Sequence, residues 1–81
     1  MANPNQRAAP RQRVLKAEAI EFTGRGGRIA CTVRNISDTG AAVELDGLIP
    51  IPRDLVLIVE AVARPCHIIW RKEKRIGVTF N

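Results

Sequence analysis

From Val14 to the end of the chain, short apolar segments alternate with turn signals. That punctuation constrains the fold more than any other feature. Gly24-Arg25-Gly26-Gly27 reads as a hairpin loop. Asp38-Thr39-Gly40 reads as a turn in which Gly40 is expected to take a positive φ. Residues 47–53, with Pro50 and Pro52, read as a longer loop. Between the first two, Arg28–Ile36 puts Ile29, Cys31 and Val33 on one face and Ala30, Thr32 and Arg34 on the other. Ile36 breaks this alternation, which predicts a strand end or bulge near Asn35. Ala41, Val43 and Leu45 alternate with Ala42, Glu44 and Asp46, the pattern of a half-buried strand. Asp54–Val62 is a nearly continuous β-branched and leucine run and reads as one central strand, with Pro65 marking an irregularity after it. Cys66–Arg71 and Arg75–Phe80 are two further strands joined by the charged turn Lys72-Glu73-Lys74. Arg13–Phe22 is ambiguous. Leu15, Lys16, Ala17, Glu18 and Ala19 favour helix, whereas Ile20 and Phe22 alternate as in a strand.

Six strands with hairpin-length connections predict an all-β fold, a small antiparallel barrel in which closure removes the exposed sheet edges. No internal repeat and no long helical pattern is present. At 81 residues the chain is expected to form one domain, which buries only about 60% of the surface its unfolded form exposes. Hydrophobic residues make up 46% of the sequence, enough for a packed core. With one Trp, two Phe and no Tyr, that core must be aliphatic.

The formal net charge of +5 favours anionic partners without choosing among nucleotides, nucleic acid and acidic proteins. Cys31 and Cys66 are too few and too far apart for a disulfide framework or a CxxC metal site. They read as buried, reduced thiols, in keeping with a cytoplasmic location. The longest apolar run, Leu55–Val59, falls far short of the roughly 20 residues of a membrane span. The first residues lack the apolar centre of a signal peptide.

Two short motifs carry the candidate chemistry. Residues 1–13 form a polar, basic leader with Pro4 and Pro10, expected to be mobile without a ligand and to precede a barrel over residues 14–81. Within it Arg7 and Arg11 form an Arg-x-x-x-Arg pair. Pro10 disfavours regular helix there, so four extended steps separate the two by roughly 13 Å, enough to grip different parts of one small ligand. The second motif, Asn35-x-Ser37-x-x-Gly40, brings an amide, a hydroxyl and a glycine turn to a strand end.

With these motifs in this order, and an all-β pattern around them, the chain resembles the PilZ domain family over nearly its whole length. The ending from Ile68 to Phe80 is similar to the family's final hairpin. The resemblance adds weight to the strand reading of Arg13–Phe22. It implies a six-stranded barrel that acts as a bacterial receptor for the second messenger cyclic di-GMP. Arg7, Arg11, Asn35, Ser37 and Gly40 would be its contacts, Arg13 and Trp70 weaker candidates, and no cofactor or metal is expected. Gln6 stands where many members carry another Arg, which leaves the number of bound nucleotides open. The sequence stops at Asn81, without the C-terminal helix that many members pack on the barrel. A partner protein or a second copy is therefore expected on that surface, the chain itself being a monomer or weak dimer.

The residue types suit such a ligand. An arginine fork matches guanine O6 and N7, and equally phosphate oxygens. Asn35 offers an amide to a guanine edge, and Ser37 a hydroxyl to a phosphate or base. Ligand binding is expected to order the basic leader against the barrel and so to signal to a partner. His67 has no neighbouring acid or nucleophile motif and reads as structural. Arg71, Lys72, Lys74 and Arg75 read as a solvated turn. Residues 24–27 lack the Lys-Ser/Thr of a phosphate loop. With no paired carboxylates, activated nucleophile or metal cluster, an enzyme is not expected. The competing readings are a PilZ-like protein-interaction module without nucleotide binding, and a small barrel for single-stranded nucleic acid. The second is disfavoured because Phe22, Trp70 and Phe80 are the only aromatic side chains available for stacking.

Overall fold

Period-two alternation in six segments leaves each strand with one apolar face, and a closed sheet is the arrangement that buries all six at once. A computed structural model describes residues 12–24 and 26–81, with the backbone alone for Gln12 and Arg13. The strands are β1 (Gln12–Glu21), β2 (Arg28–Ile36), β3 (Gly40–Leu45), β4 (Asp54–Val59), β5 (Val62–Lys72) and β6 (Arg75–Phe80). All pairings are antiparallel, and the sheet closes in the order β1-β2-β3-β6-β5-β4. No helix occurs among the described residues, so none there is long and apolar enough to cross a membrane.

The core is aliphatic, as composition required. Ile20 from β1, Cys31 and Val33 from β2, and Ala41, Val43 and Leu45 from β3 meet Leu55, Leu57, Cys66, Ile76 and Val78 from the other three strands. No polar or charged side chain is buried among the described residues. Burial pushes the Cys31 thiol up to about 12, with smaller contributions from Glu18 and Asp46. Burial likewise raises the Cys66 thiol to about 11, against opposing effects of a Leu57 backbone hydrogen bond and Arg64. Both thiols are free, as expected from their number and spacing.

Four local expectations are corrected. Asp54–Val62 is not one strand. Glu60 and Ala61, at φ 51° and 65°, form a two-residue turn that pairs Val59 with Val62. A glycine would adopt that backbone without strain. Here β1 holds it instead, because Lys16 pairs with the Glu60 carboxylate and the Glu60 N–H donates to Glu18 at 3.2 Å. Pro65 does not interrupt the chain but sits inside β5. There β5 has passed its last β6 partner pair, Cys66–Phe80, and the Pro65 carbonyl accepts from the Asn81 N–H at 2.9 Å. The missing proline N–H lies on the same side of the strand as that carbonyl, so Pro65 accepts from Asn81 without donating back, just past the last residue of β6. Gly40 has no positive φ. Among the described glycines that conformation belongs to Gly24, Gly26 and Gly27 of the first hairpin loop. Finally, β1 begins at Gln12 and ends at Glu21, one residue earlier at each end than expected.

Candidate functional site

The bulge expected near Asn35 is present, and it builds the site. Val33 pairs with Val43 and Asn35 with Ala42, so Arg34 is an extra residue in β2. A matching irregularity lies in β5, where Ile68 pairs with Val78 and Trp70 with Gly77, leaving Ile69 extra. Each bulge resets the alternation by one residue and turns Asn35 and Trp70 onto the outer wall. In register, Arg13, Asn35, Ala42, Gly77 and Trp70 then form a single row across β1, β2, β3, β6 and β5.

The middle of this row is cleared of side chains. Ala42 and Gly77 lie between Asn35 and Trp70, on strands whose inward residues are the buried Val43 and Ile76. The Trp70 indole lies down over Gly77. A Cβ built on that glycine would come within 2.7 Å of Trp70 Cδ1 and closer still to Nε1 and Cε2. Glycine at residue 77 is therefore a seat for the ring. Asn35, Ala41, Ala42, Ile69, Trp70 and Gly77 line the resulting depression, of about 200 Å³. Trp70 remains 45% exposed, so one face of the indole is open to a ligand.

Ser37 does not extend β2, which stops at Ile36; instead it ties the following turn. Its N–H donates to the Gly40 carbonyl at 2.8 Å. Its hydroxyl oxygen accepts from the Thr39 and Gly40 N–H groups at 3.2 and 3.3 Å. Gly40 then enters β3 pressed against β6. A Cβ there would meet Val78 C and Thr79 Cα at 3.3 Å and the Val78 carbonyl oxygen far closer. Its lack of a side chain is thus a matter of space between two backbones. β1 starts at Gln12, opposite Ile36, which lies between Asn35 and Ser37.

The sequence-predicted residues therefore divide into groups. Asn35 and Trp70 line one depression, while Ser37 and Gly40 shape the turn beside it. Arg7 and Arg11 lie outside the described residues, and Arg13 is placed by its backbone alone, opposite Asn35. Sequence reasoning missed Ala42 and Gly77, the floor, because their value depends on register. It also missed Arg34, Glu44 and Arg75, which sit on the same wall. The Arg34 Nη1 donates to Glu44 Oε1 at 2.8 Å, and Arg75 Nε lies 3.8 Å from the same oxygen. No cluster that could hold a metal ion occurs among the described residues.

The molecule is thus a six-stranded antiparallel barrel with its candidate site on the outer wall and its interior filled by the core. A PilZ domain model matches residues 5–81, and the chain belongs to the PilZ domain family. PilZ domains are, as a family, binding modules that serve as receptors for cyclic di-GMP, and they often act through partner proteins. A comparison with curated proteins found no match.

Proposed function

We propose that this chain is a cyclic di-GMP receptor domain and that the ligand lies on the outer wall between Asn35 and Trp70, gripped from the other side by Arg7 and Arg11. The observation that carries the reading is the cleared row. An amide and an indole stand three strand spacings apart, about 14 Å along the sheet, over a floor of alanine and glycine. A guanine base fits such a floor, stacks on the open indole face for about 1–3 kcal/mol, and offers its edge to the Asn35 amide.

Ser37 supports the same reading. Its oxygen accepts two backbone N–H groups, which leaves the hydroxyl hydrogen as a donor; it can turn from Thr39 Oγ1, 3.1 Å away, or the Gly40 carbonyl, 3.4 Å away, to a phosphate oxygen. Gly40 keeps the turn tight against β6. Arg7 and Arg11 supply forked cations for guanine O6 and N7 or for phosphate, and Arg13, opposite Asn35, adds a further one. Ligand bound in this way joins residues 1–11 to the barrel wall and changes the surface that a partner protein meets. No cofactor takes part in this reading.

Calorimetric titration of cyclic di-GMP into the wild type and Arg11→Ala tests the proposal. Micromolar binding, about −8 kcal/mol, is expected for the wild type, weakened tenfold or more by the substitution. Folded wild type that gives no heat removes the receptor reading, and equal affinity of the two proteins removes Arg11 from the site.

A further inference from the structure

The wall beside the Asn35 row carries a charge arrangement that neither motif uses. Glu44 on β3 faces two arginines, Arg34 from the β2 bulge and Arg75, its register partner on β6. The two guanidiniums converge on one carboxylate oxygen, at 2.8 and 3.8 Å. Arg34 and Arg75, together with Asn35 and Leu15, line a depression of about 310 Å³. Asn35 is common to this depression and the one floored by Ala42 and Gly77. A third depression, of about 420 Å³, shares Arg75 with the first and Trp70 with the second, and adds Glu44, Lys72, Glu73 and Lys74. The three thus share lining residues, and across them the cations Arg34, Lys72, Lys74 and Arg75 outnumber the carboxylates Glu44 and Glu73 by four to two.

One carboxylate between two guanidiniums leaves that cluster with a net positive charge. The Glu44 side chain is 28% exposed, so the arrangement is open to solvent on one side and not sealed into the core. A carboxylate and a phosphate present the same paired acceptor oxygens to an arginine fork. We propose that Arg34 and Arg75 form a phosphate subsite on the outer wall, and that Glu44 is its resident counter-anion, competing with the ligand for both guanidiniums and thereby setting affinity. The identity of the phosphate carrier, cyclic di-GMP, rests on the receptor reading above. Glu44 holds the two forks in place between binding events, and its charge discourages loosely fitting polyanions. A bound phosphate must draw the forks away from Glu44 and then tolerate that carboxylate nearby.

The test is a set of cyclic di-GMP titrations on the wild type, Glu44→Gln, Arg34→Gln, Arg75→Gln and the Arg34→Gln/Arg75→Gln double variant, at low and high salt. Glu44→Gln keeps the shape and removes the charge. It is expected to bind about tenfold tighter at low salt, the scale of one charge removed several ångströms from a phosphate, with the gain shrinking as salt rises. Each arginine variant is expected to bind about tenfold more weakly. Unchanged or weakened binding by folded Glu44→Gln overturns the competing role, and unchanged binding by the double variant overturns the subsite. Inorganic phosphate followed by phosphorus NMR line broadening gives a readout independent of the dinucleotide. Broadening that Glu44→Gln increases and the double variant abolishes, in a protein that does not bind cyclic di-GMP, upholds the subsite and removes the receptor reading. Cyclic di-GMP binding with no response to any of these substitutions removes the subsite alone.

Discussion

Replacing Gly77 by alanine tests the construction of the candidate site directly. The new methyl would stand within 2.7 Å of Trp70 Cδ1 and closer to two other ring atoms, so the indole must leave its seat. The obstacle is a side chain already 45% exposed, and it can swing outward without moving backbone. A tryptophan buries at most about 250 Å². Uncovering roughly a quarter of that, about 60 Å² at ~25 cal/mol/Å², costs about 1.5 kcal/mol. Alanine in a strand interior recovers about 0.5–1 kcal/mol relative to glycine, so the net loss is about 0.5–1 kcal/mol. The fold should survive and the seat should not. Trp70 is the sole tryptophan, so its fluorescence reports on this one contact. Gly77→Ala should shift the emission maximum to longer wavelength, increase acrylamide quenching and lower the urea midpoint slightly. A folded variant whose emission and quenching match the wild type would refute the seating of the ring. So would a loss beyond about 3 kcal/mol, which would mean that backbone had moved as well.

Gly40→Ala is expected to behave differently, because the new methyl meets the Val78 carbonyl on β6, which cannot rotate away. The β3–β6 ladder must open, at about 2–3 kcal/mol by urea denaturation, and a loss below about 1 kcal/mol would contradict the close approach. The buried thiols predict an alkaline limit. Unfolded cysteine ionises near 9, whereas Cys66 and Cys31 hold their protons to about 11 and about 12. Above pH 9 the unfolded state thus binds fewer protons than the folded one. The contribution of these thiols is full below pH 9 and falls as pH rises towards 12. Urea midpoints between about pH 8 and about pH 10.5 should decline, and less steeply in Cys31→Ala/Cys66→Ala. An equal slope in both proteins would exclude the thiols as its cause.

Strand identity was largely written into the sequence, because period-two alternation and turn residues act over a few neighbours. Arg28–Ile36 was placed to the residue, and the bulge near Asn35 followed from the single break at Ile36. The motif residues were equally local, as chemical types at fixed spacing. Tertiary structure decided what those neighbours could not. The Glu60-Ala61 turn carries no turn-forming residue type and is held by Lys16 and Glu18, more than forty positions earlier. Pro65 fits β5 because its missing N–H falls one pair past Cys66–Phe80, where the β5–β6 ladder is running out. The glycines at 40 and 77 answer to a carbonyl and an indole on neighbouring strands, so no local pattern revealed what they serve. Nor could the sequence align Asn35, Ala42, Gly77 and Trp70, or bring Arg34 and Arg75 onto Glu44. Two bulges in separate strands set that register, and a slip of one residue in either would send the same side chains to the opposite face. Short-range pattern determined which segments are strands; only closure of the barrel decided which residues meet across them.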